Sequence, residues 1–159
     1  MLEENSPLLV KDFNSIDQPL ILLIKGIQAA LEQSWPSGIT EKEMVESLKR
    51  MGAYLSETIN YKVNFPLKVA KYLGYTYGVI DIHAVFNQKH LGVEVNRHQW
   101  YGKCIPELLK LSWAELDYRI IAWTARRVET VKKLEQVELP ILPQPVFVIT
   151  HNTIKEISN

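Results

Sequence analysis

The sequence predicts a single-domain α/β fold, a central mixed β-sheet flanked by helices. Three observations carry the prediction. Helical spacing of apolar residues runs through 17–34 and again through 40–59. Short runs rich in β-branched residues follow at 78–86, 91–98, 117–125 and 146–151. Helix and strand patterns then alternate from residue 103 onward, as layered α/β domains require. A length of 159 residues suits one such domain with a core of its own.

Residues 1–16 mix Pro7, Asn14 and acids around a short "LLV" and read as an irregular arm. Asp17 and Pro19 open the first helix, because proline is tolerated in a first turn where its missing N–H has no partner to lose. Leu20, Leu23, Ile24, Ile27 and Leu31 form its stripe, and "WPSG" at 35–38 stops it. Thr40 with Glu43 fits a capping box for a second helix, expected to reach residue 59 along Met44, Val45, Leu48, Met51, Leu55 and Ile59. The segment "NFPLKVAKYLGYTYG" at 64–78 reads as a short helix or irregular stretch through Leu73, with a strand entered near Tyr75. "GVIDIHAVF", a turn at "NQKH" and "LGVEVNRH" then read as a strand hairpin. "CIPELLKL" is a helix with Pro106 in its first turn, and "DYRIIAWTA" a strand. "RRVETVKKLEQVE" reads as a helix, "LPILPQP" as a connector and "VFVITH" as a last strand. Three stretches result: an arm and helix at 1–39, a core at 40–125, and a C-terminal helix and strand at 126–159.

Composition narrows the function classes. Apolar residues make up 47% and charged residues 23%, with a formal net charge of +0, so no global basic field advertises nucleic acid. A single cysteine, Cys104, rules out an intramolecular disulfide and an all-cysteine zinc site. Its neighbour Lys103 would favour a reactive thiol, but a small residue at a helix start is the simpler reading. The longest apolar run, "PLILLI" at 19–24, is too short to span a bilayer, and a cytoplasmic protein without membrane contact is expected. Phosphate-binding, dinucleotide, serine-elbow and H-E-x-x-H patterns are missing.

The chemistry concentrates in residues 78–100. Strand alternation puts Asp81, His83 and Val85 on one face, with Ile80, Ile82, Ala84 and Phe86 on the other. Glu94 and Asn96 share a face opposite Val93 and Val95. If the two strands pair, Asp81 and Glu94 point the same way, and two such carboxylates repel unless a cation sits between them. A hard divalent ion held by oxygen ligands is the economical solution. The alternative is an amphipathic sheet whose polar face, with all four side chains, simply meets solvent.

The run "IDIHAVF…LGVEVNR" resembles the core of the PD-(D/E)XK, or restriction-endonuclease-like, nuclease superfamily. There a strand carries an Asp, a hairpin follows, and the next strand carries an acid, any residue, then usually Lys. Ile80–Asp81 matches the first element and Glu94–Val95 the second, with a helix and strand downstream and a helix upstream, over about residues 40–125. The resemblance implies a restriction-endonuclease-like sheet and hydrolysis of DNA phosphodiester bonds. It implies Mg²⁺ or Mn²⁺ held by Asp81, Glu94 and the Val95 carbonyl, with Glu46 or Glu57 as a further acid from the upstream helix. The family's Lys is Asn96 here. Some members carry the lysine on the following helix, and Lys103 would then orient or activate the water. Failing that, the site binds metal poorly or catalysis is lost, which leaves a non-catalytic module acting in DNA binding or protein–protein interaction.

His83 shares the face of Asp81 and is expected as an auxiliary base or phosphate contact, with Asn96 in a supporting position; Arg97 is adjacent with the wrong parity. His83, His90 and His98 do not have the spacing of a compact zinc motif. From 97 to 133 eight basic residues (Arg97, Lys103, Lys110, Arg119, Arg126, Arg127, Lys132, Lys133) face four acids (Glu107, Glu115, Asp117, Glu129). That surplus suits a DNA backbone, or is merely a solvated helix face at 126–133. Trp100 and Tyr101 are set to stack on a base or to seal a sheet edge, and Trp113 and Trp123 to enter the core. The apolar helix at 17–34 also admits a homodimer.

Overall fold

The computed structural model describes residues 18–51, 58–70, 74–86, 88–97, 102, 104–124 and 144–157. Its elements are α1 (Gln18–Ser34), α2 (Glu41–Arg50), β1 (Thr58–Ala70), β2 (Gly74–Phe86), β3 (Lys89–Asn96), α3 (Cys104–Trp113), β4 (Tyr118–Trp123), β5 (Val146–Ile149) and β6 (Ile154–Ile157). The strands form one six-stranded sheet in sequential order. β1, β2 and β3 make an antiparallel meander, β4 runs parallel to β3 and β5 parallel to β4, and β6 returns antiparallel. The expected α/β class with a central mixed sheet is therefore present.

Two apolar layers sandwich the sheet. On one side Leu20, Leu23, Ile24, Ile27 and Leu31 of α1 and Met44 and Leu48 of α2 cover Ile82, Ala84, Val93, Ile120 and Ile149. On the other, Cys104, Leu108 and Leu111 of α3 cover Ile80, Ile121, Trp123 and Val148. The stripe of α1 is consumed by its own chain's sheet, so the apolar character of that helix needs no second copy to explain it. Gly26 lets α2 approach closely: a Cβ there would lie 2.3 Å from Met51 Sδ. Among the described residues no helix is long and apolar enough to cross a membrane.

Several elements differ from expectation. The second helix ends at Arg50, not near residue 59, and Ile59 is a strand residue. The cap forms in part: Thr40 Oγ1 accepts from the Glu43 amide at 3.1 Å and donates to Glu43 Oε1 at 2.9 Å. Residues 64–70, expected as helix or irregular, belong to the long strand β1. Pro66 is accommodated because β1 is an edge strand, where a missing N–H breaks no second ladder. A C-terminal hairpin strand, β6, was not anticipated; Thr150 N–H donates to Thr153 O at 2.8 Å to close its turn. The expected arm at 1–16, the helix at 126–138, and Glu57, His98, Trp100, Tyr101 and Lys103 lie outside the described residues.

Candidate functional site

Register builds the site. Ile82 pairs with Val93 and the β2–β3 ladder stops there, so Asp81 and Glu94 sit just where the two strands part. In place of another ladder bond, the Val95 amide donates to Asp81 Oδ2 at 2.9 Å. On the β1 side, pairing passes from Tyr61↔Ile82 to Val63↔Ile80 across Lys62, which has a left-handed φ of 56°. Alternation breaks at this point as well. Ile80 packs in the α3 layer while Ile82 and Ala84 pack against α1 and α2, so the expected single apolar face Ile80–Ile82–Ala84 does not exist.

The four polar residues do not face solvent. Asp81 is 7% exposed, His83 9%, Glu94 1% and Asn96 0%. α3 lies over the sheet face that Glu94 and Asn96 share, which removes the solvated-sheet alternative.

Asp81 and Glu94 lie near enough for each carboxyl to act on the other's ionisation. Burial pushes Glu94 up to about 8, reinforced by the neighbouring Asp81 carboxylate, against the pull of Lys110. Burial also acts to raise Asp81. The neighbouring Glu94 carboxyl, the Lys62 ammonium and the Val95 amide outweigh it and hold Asp81 below the ordinary carboxylate range. One carboxyl thus keeps a proton for the other, as like charges sharing a buried site must.

Two lysines attend the pair. Lys62 Nζ donates to Asp81 Oδ1 at 2.7 Å and to Glu41 Oε1, in the first turn of α2, at 3.0 Å. Lys110, on α3, ion-pairs with Glu94 Oε1 and donates to the Val79 carbonyl at 2.7 Å. Its stem crosses Gly78, where an added Cβ would lie 3.2 Å from Lys110 Cδ, so the glycine keeps its path open. Glu107 lies one turn before Lys110. Burial pushes it up to about 7, with the Asp81 charge adding to the effect, and its buried Oε2 has no hydrogen-bond partner.

The remaining expected residues are placed as follows. Asn96 sits beside Cys104, and its backbone carbonyl accepts from the Thr124 amide at 2.9 Å, so it ties β3 to β4. Cys104 is buried, and burial pushes its thiol up to about 12, which leaves no reactive thiolate. His83 is engaged with His90 at 2.9 Å and packs on Phe65; burial, then the neighbouring His90, lowers its pKa. Glu46 pairs with Lys49 on the exposed side of α2 at 3.6 Å, and Glu41 is the α2 acid that reaches the site. Glu46 also lines a groove of about 430 Å³ between α1 and α2 with Ala30, Ile39, Lys42 and Arg50, apart from the paired acids. Arg97 is exposed at the end of β3. Arg119 is buried and donates to the Leu111 and Ala114 carbonyls, capping the end of α3, so it leaves the expected basic surface. Trp123 is fully buried and Trp113 partly so.

Lys62, Lys110, Glu41 and Glu107 were not singled out as site residues from sequence. The signal for Lys110 was its place on the helix after Glu94, the same ground that pointed to Lys103. For Lys62 the signal was the alternation of Ile59, Tyr61, Val63, Phe65 and Leu67, which sets a strand opposite Asp81.

Asp81 and Glu94 offer carboxylate oxygens of the type a hard divalent ion takes, and Lys62 and Lys110 are the cations that stand against them in the structure. The Val95 group facing Asp81 is its N–H, which cannot ligate a metal, and not the carbonyl expected as a third ligand. Among the described residues no three His, Cys, Asp or Glu side chains group as ligands, so water or substrate would complete the shell. Comparison of the chain with family models, curated proteins and solved structures returned no match.

Proposed function

We propose that this protein is a metal-dependent phosphodiesterase acting on DNA, of restriction-endonuclease-like build. One observation carries the reading: two buried carboxyls at the point where adjacent strands part, with a helix-borne ammonium on one of them. The order helix, antiparallel meander, helix, parallel strand supports it, being the order the PD-(D/E)XK resemblance implies.

Asp81 and Glu94 would hold Mg²⁺ or Mn²⁺. Such an ion would polarise the phosphodiester and lower the pKa of an attacking water. Lys110 takes the part left empty by Asn96. Its ammonium is fixed by Glu94 and the Val79 carbonyl, beside the place where charge develops on the phosphate. Desolvation by α3 strengthens each of these interactions.

A second reading, a non-catalytic module that binds DNA or protein, is favoured by the ion pairs themselves. Lys62 and Lys110 already balance the two acids. The experiment is incubation of the parent, Asp81→Ala, Glu94→Ala and Lys110→Met with plasmid and single-stranded DNA and Mg²⁺ or Mn²⁺. The parent cleaves, both acid variants do not, and Lys110→Met loses about a hundredfold or more in rate. No cleavage by the parent and no heat of metal binding leaves only the non-catalytic reading.

A further inference from the structure

We propose that Lys62 is the residue through which this site grips a DNA phosphate, with Glu41 as the anchor that positions it. The inference rests on the nuclease reading and adds a substrate contact to it.

Three observations converge on Lys62. Its backbone is left-handed, φ 56°, within a strand, a conformation in which a Cβ crowds the following carbonyl oxygen. Strain of that kind persists where the surroundings over-determine it, and it clusters at functional sites. The conformation falls at the position opposite Asp81 and turns the ammonium onto that carboxylate.

Lys62 is also the more open of the two site lysines. Its side chain is 43% exposed, against 25% for Lys110. Lys110 is held by Glu94 and a strand carbonyl, whereas Lys62 lies on an edge strand with more of its side chain in contact with solvent.

The second carboxylate explains how the ammonium stays in place. Glu41 accepts from Lys62 and from the Tyr61 hydroxyl, which fixes it between neighbouring residues of β1. With Glu41 holding it, Lys62 keeps a carboxylate partner beside the site when Asp81 engages another. An ammonium has three donors and acts on phosphate as a point charge. Such a contact strengthens binding to all sequences alike and shows in the salt dependence.

The test measures anisotropy of a fluorescein-labelled duplex in Ca²⁺ buffer over a range of salt, alongside cleavage in Mg²⁺. The variants are Lys62→Asn, Lys62→Arg and Glu41→Gln. Asn tolerates the left-handed backbone, so Lys62→Asn removes the charge without adding strain, and circular dichroism checks the fold. Expected is binding about five- to tenfold weaker for Lys62→Asn, with a salt slope lower by about one, largely restored in Lys62→Arg. Glu41→Gln raises KM more than it lowers kcat. A parent that cleaves, with Lys62→Asn matching its affinity and slope, overturns this inference and leaves the nuclease reading standing. Affinity that arginine fails to restore also overturns it. A parent that neither binds nor cleaves DNA removes both.

Discussion

Glu94 holds a carboxyl at 1% exposure against a second carboxyl, and its protonation couples the site to stability. Its folded value, about 8, lies above the ordinary 4.5, so between those values the folded protein holds more protons than the unfolded chain. Stability must then fall as pH rises through that window. Glu107, pushed up to about 7, adds to the fall with the same sign. Asp81, held below its ordinary 3.8, acts oppositely and only in acid, its contribution being lost as pH drops through its lowered value. Urea unfolding in chelator should therefore show the parent less stable at about pH 8 than at about pH 5, and Glu94→Gln flatter across that range. Equal slopes in the two proteins would mean that Glu94 ionises as freely in the fold as outside it. Parity pointed to Asp81 and Glu94 on one face, but it could not show that alternation breaks between Ile80 and Ile82 or that the β2–β3 ladder stops before the two acids. Glu41 was not legible, because its link to Lys62 spans 21 residues and depends on how α2 meets β1.

At the scale of elements, β1 shows where local pattern and local punctuation conflict. Ile59, Tyr61, Val63, Phe65 and Leu67 alternate as a strand should, yet Pro66 argues for a break. The edge position resolves the conflict, and no residue of β1 announces that position. The second helix shows the reverse. Its apolar spacing continues to Ile59, but that residue pairs with Ala84 in the ladder instead. Sheet pairing with β2 overrides a weak helical periodicity. Packing of α3 on the sheet rests on Gly92. A Cβ there would lie 2.4 Å from Leu116 Cδ1 and 3.2 Å from Leu111 Cδ2. Gly92→Ala should therefore cost about 1–3 kcal/mol by overpacking, read as a shift in the urea midpoint at constant m value. A neutral result would place free space between α3 and β3.

Across the whole molecule, the sheet separates two apolar layers and the polar cluster draws on both. Glu41 comes from the α2 layer, Glu107 and Lys110 from the α3 layer, and Asp81 and Glu94 from the sheet between them. Occupancy of such a site should act on the entire fold. Mn²⁺ at about a hundredfold over its dissociation constant stabilises the parent by about 2.7 kcal/mol through linkage. Differential scanning calorimetry should show the rise in midpoint for the parent and none for Asp81→Ala; an unmoved parent midpoint removes the metal from the site. The sequence by itself determined the α/β class and the two hairpin strands that carry Asp81 and Glu94. Periodicity and parity are local properties that a chain carries wherever it goes. Only the tertiary structure decided that the polar face is covered by α3, that Asn96 is wholly buried, and that Lys62 and Lys110 attend the acids. Those contacts join residues from separate elements. They depend on which strand lies at the edge and which helix crosses which face, and no spacing along the chain encodes either.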